Sequence, residues 1–375
     1  MSYHLEIIKD PDVAINNRRS IYSVLYYKKK GGCSESLRIY HSLVFFGNEL
    51  LSFTTPKSIS LSTFIEKNPV EEYLSPILSN EITPNNIIFN EMIPGILIQL
   101  FYNPFLSCWE IATKKSIGGY HTIQGAAMSC REMFFNAVQG NTGDTSLTAA
   151  DLSAIPFLQK LSKAHSYQFI LTQKNTLLYL VAVHRIQNNT AHYVPCLEYE
   201  TWDCFANTGI YFPQQYPKVN YSAFREKYCS IHSNADCMGV MMTNVKTGER
   251  TRMLNPNYLE RKEMEKINDN LLYHFLSFLS MNKVANFIEF FPQYTIEFAS
   301  FQKHYNTFVK GIYQSYLDFY VFRKVGMISI RYAHHISYLH YSYYLMKREK
   351  ITFDMVERYV SEMEPHILLQ CMYSF

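Results

Sequence analysis

The amino-acid sequence predicts an α+β chain, with a β-rich antiparallel core followed by an all-helical C-terminal domain. Three observations carry this expectation. Aromatic and β-branched runs alternate with Gly- and Lys-containing turns as far as about residue 255. Beyond Pro256, glycine occurs only as Gly311 and Gly326 and proline only as Pro292 and Pro365, within long stretches of helical period. The chain has 375 residues, 47% of them hydrophobic, enough for a sizeable core and for two or three domains. The expected division is 1–85, 86–255 and 256–375.

"SIYSVLYY" (20–27) and "LRIYHSLVFF" (37–46) read as strands, with the solvated turn "KKKGG" (28–32) between them. "LSTFIEKNPVEEYLSPIL" (61–78) is more helical. Residues 85–116 read as strand, turn, strand, with Pro94-Gly95 at the head and Lys114-Lys115 near the end. "MSCREMFFNAVQ" (128–139) places Met133, Phe134, Ala137 and Val138 on one helical face. "NTGDTSLTAADLSAI" reads as a loop into a capped helix. "SYQFILTQKNTLLYLVAVHRI" (166–186) is a hairpin around "TQKN". "DCMGVMMTNVKTGERTRML" (236–254) is another, turning at Lys246, Thr247 and Gly248, where glycine supplies the positive φ such turns use. "LLYHFLSFLSM", "FASFQKHYNTFVKGIYQSYLDFYVFRKV" and "AHHISYLHYSYYLMKREK" are helices of the C-terminal part.

A net charge of +3 permits a local phosphate-binding patch but is not the strongly basic footprint of an obligate nucleic-acid binder. Eight scattered cysteines make no disulfide framework and point to a reducing compartment. The N-terminal residues show no secretory pattern, and no apolar run reaches the roughly 18 residues of a spanning helix. A soluble, cytoplasmic protein is expected. No P-loop, GxGxxG, HExxH or GxSxG motif is present, which excludes most common enzyme classes.

Four segments within roughly residues 87–325 resemble the bacteriophage-type RNA ligases of the covalent nucleotidyltransferase superfamily, and look most similar to the ligase-like proteins of large DNA viruses. "EMIPGILIQLFYNPFLSCWEIATKKSIGG" is similar to the K-x-D/E-G motif and the W-x-I-x-T-[KR] strand after it. "CREMFFNAV" resembles the helix that follows. "SYQFILTQKNTLLYLVAVHRI" resembles the strand-turn-strand lining the nucleotide pocket. "MGVMMTNVKTGERTRMLNPNY" resembles the E-G-x-V strand and the basic strand beyond it.

The resemblance implies a nucleotidyltransferase-like core. Its chemistry would be attack by a motif lysine on the α-phosphate of ATP, with Mg²⁺ held by carboxylates, and passage of AMP to an RNA 5′-phosphate. This sequence departs from that pattern. With Gly95 at the motif glycine, Met92 takes the nucleophile position and Pro94 the acidic one. Gln168 stands where the third motif has a carboxylate, and Met238, before Gly239, where E-G-x-V has its glutamate. Arg250 and Arg252 replace the paired lysines. A thioether does not attack phosphorus, whereas arginine still binds phosphate bidentately. No catalytic residue is therefore expected, with Lys114 and Lys115, on the strand neighbouring Glu91 and Met92, as substitute nucleophiles. The expected nucleotide- or phosphate-binding residues are Gly95, Lys114, Lys115, Gln168, Asn175, Gly239, Arg250 and Arg252. No metal ligand is expected.

Cys196, Cys204, Cys229 and Cys237 have the spacing C-x7-C-x24-C-x7-C, with His192 and His232 nearby, but zinc knuckles use gaps of two to four residues and incidental thiols are the better reading. His334, His335 and His340 share a helix with many tyrosines and read as aromatic core rather than as metal ligands, with base stacking the functional alternative.

The favoured function is a ligase-like protein that binds nucleic acid or nucleotide without covalent transfer. The alternatives are an active ATP-dependent RNA ligase with a relocated lysine, requiring ATP and Mg²⁺, and an assembly subunit of a viral particle or polymerase complex. Expected partners are RNA or another nucleic acid and, if viral, viral proteins in host cytoplasm or virion, but no membrane.

Overall fold

A computed structural model of the chain describes residues 2–7, 10, 12–18, 21–28, 36–68, 86–122, 127–139, 152, 155–217, 221–266, 270–324, 326 and 328–373. The turn at 28–32 beyond Lys28, Cys33, the 61–78 segment beyond Asn68 and most of the loop at 141–155 lie outside them. The chain divides into two compact units, Met1–Tyr258 and Leu259–Phe375.

The first unit carries strands β1 Ser2–His4, β2 Val13–Arg18, β3 Tyr22–Tyr27, β4 Leu43–Phe46, β5 Glu49–Phe53, β6 Ile87–Glu91, β7 Ile96–Asn103, β8 Cys108–Thr113, β9 His165–Leu171, β10 Leu178–Gln187, β11 Thr190–Val194, β12 Ile210–Tyr211, β13 Gln215–Tyr216, β14 Gly239–Asn244 and β15 Arg250–Leu254. Its helices are α1 Leu61–Lys67, α2 Cys130–Gln139, α3 Pro156–Gln159, α4 Cys196–Tyr199 and α5 Tyr221–Tyr228; α6, Pro256–Met264, spans the boundary. The strands form a large sheet in the order β1-β11-β10-β9-β7-β8 with β12 on β10, and two four-stranded sheets, β13-β6-β14-β15 and β2-β3-β4-β5. Among these strand pairs only β10 with β12 is parallel.

Period-two patterning sets the layers. On β9, Tyr167, Phe169 and Leu171 turn to one face and pack with Phe134 and Met133 of α2. Ser166 and Gln168 turn to the other, where polar bonds staple the large sheet to the β2–β5 sheet. Ser52 Oγ donates to Gln99 Oε1 at 2.9 Å, and Gln99 Nε2 donates to Ser42 Oγ at 2.8 Å. In the remaining sheet, Ile87, Phe89, Val240 and Met242 pack against Phe64 and Phe224. That leaves Ile88, Asn90, Met241 and Thr243 for the opposite face.

Two expectations need correction. The 37–46 segment is a strand only from Leu43; Ser36–Ile39 is a 3₁₀ turn. Leu37, Ile39 and Tyr40 all pack into one cluster, so their contacts do not alternate as a strand's would. The 85–116 segment holds three strands, not two. β6 pairs with β13 and β14 in one sheet, while β7 pairs with β8 and β9 in another. Met92–Gly95 is therefore a crossing between sheets, and the expected strand-turn-strand is β7 and β8, paired antiparallel after it.

The two motif glycines have backbone reasons. A Cβ on Gly95 would stand 2.4 Å from Leu171 O, so the crossing can approach β9 only without a side chain. Gly239 sits at φ +139°, and a Cβ there would stand 2.2 Å from Met253 O. Gly239→Ala is expected to cost about 3 kcal/mol, combining backbone strain with overpacking against a strand. Urea denaturation checks this; an unchanged midpoint would refute the packing account of Gly239.

The second unit is helical, with α7 Leu271–Ser280, α8 Val284–Phe290, α9 Thr295–Tyr316, α10 Ile330–Leu339, α11 Phe353–Ser361 and α12 Pro365–Tyr373. π-helical turns, Leu317–Val321 and His340–Leu345, extend α9 and α10. Phe275, Phe287, Phe298, Phe308 and Ile312 lie in its core. His335 is buried there with Nδ1 2.9 Å from Tyr359 Oη.

Candidate functional site

A cavity of about 270 Å³ lies between the large sheet and the β13-β6-β14-β15 sheet. One part of its wall is apolar: Ile88, Ile93, Leu97, Ile170, Val181 and Met241. The other part is polar and basic, with His41, Thr55, Asn90, Glu91, Lys114, Gln168 and Arg250, and with Tyr193, Tyr199 and Cys196 alongside. Met92 lines the same space, its backbone N–H held by Gly239 O at 3.1 Å.

Arg250 opens β15 and pairs across the ladder with Thr243. Its Nε donates to Pro56 O and its Nη2 to Thr55 O, both at 3.3 Å. No described carboxylate forms an ion pair with it. Burial pushes its pKa down to about 10, against weaker opposing effects from Tyr193, Tyr3 and Tyr199. A buried cation without a carboxylate is costly alone and is relieved by an anion.

Lys114 follows β8 and is anchored through its carbonyl, which accepts from Ser42 Oγ at 2.9 Å. Burial, then the neighbouring Lys57 and Lys115, hold its amine below the ordinary lysine range. His41 has Nδ1 3.2 Å from Thr55 O. Burial and the charges of Arg250 and Lys114 push it down to about 3, so it is neutral near pH 7. Asn90 Oδ1 is a buried acceptor with no hydrogen-bond partner among the described residues.

The expected site residues are thus brought together only in part. Met92, Lys114, Gln168 and Arg250 line one cavity. Gln168 spends Oε1 on Thr55, accepting from its N at 2.9 Å and its Oγ1 at 3.0 Å. Gly95 and Gly239 serve backbone packing at its edge. Lys115 lies in an adjoining groove with Asn16, Tyr26 and His121. Asn175 is exposed in the turn between β9 and β10, outside the cavity lining. Arg252 shares a strand face with Arg250 but is exposed and beyond the cavity. His41, Thr55 and Tyr193 were absent from the sequence-based set. They come from segments remote in sequence, His41 before β4, Thr55 after β5 and Tyr193 on β11, and no local motif marks them.

The four spaced cysteines separate: Cys196 and Cys204 pack with the large sheet's core, and Cys229 with Phe224. Among the described residues no three His, Cys, Asp or Glu side chains converge as metal ligands. Glu91 is the cavity's single carboxylate. These residues suit an anion with an apolar appendage; a Mg²⁺ there would be held by Glu91 alone of the lining carboxylates, the rest of its coordination coming from substrate phosphates and water.

Fold and cavity together define an α+β protein with a partly basic, partly apolar inter-sheet pocket. Solved structures to which the chain is similar include RNA ligases. A mutant Naegleria gruberi RNA ligase with ATP and Mn matches over 56% of this chain and 58% of its own, at 11% identity and a TM-score of 0.36. The Naegleria gruberi RNA ligase with PPi matches over 64% and 65%, at 11% identity and 0.38. An archaeal ATP-dependent RNA ligase matches over 78% and 67%, at 12% identity and 0.36. The chain thus spans less than two thirds of the first two ligases. No protein-family model and no curated protein matches it.

Proposed function

We propose that this chain is an RNA ligase-like protein whose inter-sheet cavity binds a nucleotide or a nucleic-acid phosphate without covalent transfer. The observation that carries this reading is Arg250, a part-buried guanidinium with no ion-pair partner among the described residues, in one cavity with Lys114 and an apolar wall. An arginine–phosphate pair suits the basic end. A base suits the apolar wall, and Asn90 Oδ1, which lines the same cavity, offers an acceptor to an exocyclic amine. Met92 faces the same space and supplies no nucleophile.

A second reading has one observation in its favour. The Lys114 amine shares the cavity with Met92 and is held below the ordinary lysine range, as a relocated nucleophile would be. Incubation with labelled ATP and Mg²⁺ or Mn²⁺ separates the two. The expected result is saturable equilibrium binding of ATP and no acid-stable protein–AMP adduct. An adduct lost in Lys114→Ala would establish transfer and overturn the proposal. Absence of binding by ATP and by 5′-phosphorylated RNA would overturn both readings.

A further inference from the structure

The helical unit carries a second feature, remote in sequence from the cavity residues. Helices α9 and α10 run side by side, Phe308 meeting Tyr332 and His335, and Tyr316 meeting His340. Each ends in a π-helical turn, and these turns touch. His340 stacks on Tyr320 with centroids 3.8 Å apart and planes at 9°, and on Tyr344 at 5.0 Å and 20°. Three rings thus form a short ladder whose outer member, Tyr344, is 49% exposed. Tyr341, at 61%, and Phe322, at 58%, stand on the same two turns or directly beside them.

Burial does not explain this group, because its outer rings are in water. Its surroundings are basic. Arg323, Lys324, Lys347, Arg348 and Lys350 are exposed at the ends of the two turns, against Asp318 and Glu349. Asp318 is occupied by Lys324 at 2.8 Å, and Lys347 Nζ lies 4.7 Å over the Tyr343 ring. Exposed flat rings flanked by excess cations match the two parts of a single strand: bases that stack and phosphates that need countercharge. Val321, Leu345 and Met346 are exposed on or beside the same turns, but the excess of cations around the stacked rings favours a polyanion over an apolar partner.

We propose that the end of the helical unit formed by the two π-helical turns is a stacking platform for single-stranded nucleic acid. Bases continue the Tyr320–His340–Tyr344 ladder on the outer face of Tyr344, and the cations at 323–324 and 347–350 hold the backbone. The platform is independent of the cavity reading and carries no sequence readout.

Fluorescence anisotropy of the full chain with 5′-hydroxyl 20-mers, single-stranded and duplex, tests it. The 5′-hydroxyl ends deny the cavity a terminal phosphate, so failure here leaves the cavity reading untouched. Single strands are expected to bind better than duplex, with affinity falling steeply with salt. Tyr344→Ala is expected to lose about tenfold, and Tyr344→Phe to keep wild-type affinity. Arg323→Gln/Lys347→Gln/Arg348→Gln is expected to flatten the salt slope by about 2, from about 0.7 per phosphate contact on single strands. Tyr344→Leu keeps apolar area without a stacking plane and should bind like the alanine variant. Full affinity in Tyr344→Leu and Tyr344→Ala would overturn the platform, as would absence of single-strand binding by the wild type at low salt.

Discussion

Acidification from pH 7 to pH 5 is expected to remove about 4 kcal/mol of stability from the first unit, through two histidines that the fold keeps neutral. Desolvation, aided by the nearby charges of Arg250 and, for His41, Lys114, lowers the pKa values of part-buried His41 and fully buried His184 from 6.5 to about 3. For His184 the cause is burial first, then the charge of Arg250. Both its ring nitrogens are buried with no hydrogen-bond partner among the described residues, and its ring stands edge-on to Phe53 at 4.9 Å. The direction follows from proton linkage. Between pH 6.5 and about 3 the unfolded chain binds protons at these histidines and the folded chain does not, so stability falls as pH falls. At about 1.4 kcal/mol per pH unit below 6.5, each histidine costs about 2 kcal/mol at pH 5. Against a typical total of about 5–15 kcal/mol this is a large fraction. Urea midpoints at pH 7, 6 and 5 measure it. His184→Phe, which suits an aromatic cage and has no proton to take up, should remove about half of the pH dependence. Midpoints that stay level from pH 7 to pH 5 would show that these histidines are not held neutral.

Local pattern was a good guide wherever one segment decides its own form. The β9–β10 and β14–β15 hairpins follow from alternation around turn residues, and α2 and the helices after Pro256 from their period. The change of sheet between β6 and β7 was not legible, because alternation says which residues share a face but not which strand lies alongside. The same limit hid half of the cavity. His41 lies just before β4 and Thr55 just after β5, and nothing near them in sequence marks their meeting with Arg250. Arg250 and Arg252 show the limit in reverse. Their spacing gives them a common face, but a step of two residues along a strand, about 6.6 Å, carries the second past the cavity. Motif glycines were legible as glycines, though the reason is contact with Leu171 O and Met253 O rather than a ligand.

Arg250→Met is therefore expected to weaken ATP binding about 50-fold while changing the denaturation midpoint little, and Arg252→Ala to weaken it less than twofold. A charge-assisted hydrogen bond to phosphate contributes roughly 1.5–3 kcal/mol, so loss of the guanidinium removes one to two orders of magnitude in affinity. The effect on the empty protein differs. The guanidinium makes two bonds of 3.3 Å to the Thr55 and Pro56 carbonyls, and Met forfeits both. Met also removes a desolvated charge that no described carboxylate balances, and these effects oppose each other within about 1 kcal/mol. Arg250→Lys keeps a charge but not the planar fork and should fall between Met and wild type. Lys114 adds a pH signature. Its free amine titrates below the ordinary lysine range, so ATP affinity should decline with rising pH earlier than an ordinary lysine would allow. Lys114→Arg should abolish that decline. A purely structural Arg250, bracing β15 against Thr55 and Pro56, predicts the opposite pair of results: a Met variant that loses stability and binds ATP as wild type does. Isothermal titration with ATP beside urea denaturation of the same variants distinguishes a retained phosphate site from a brace.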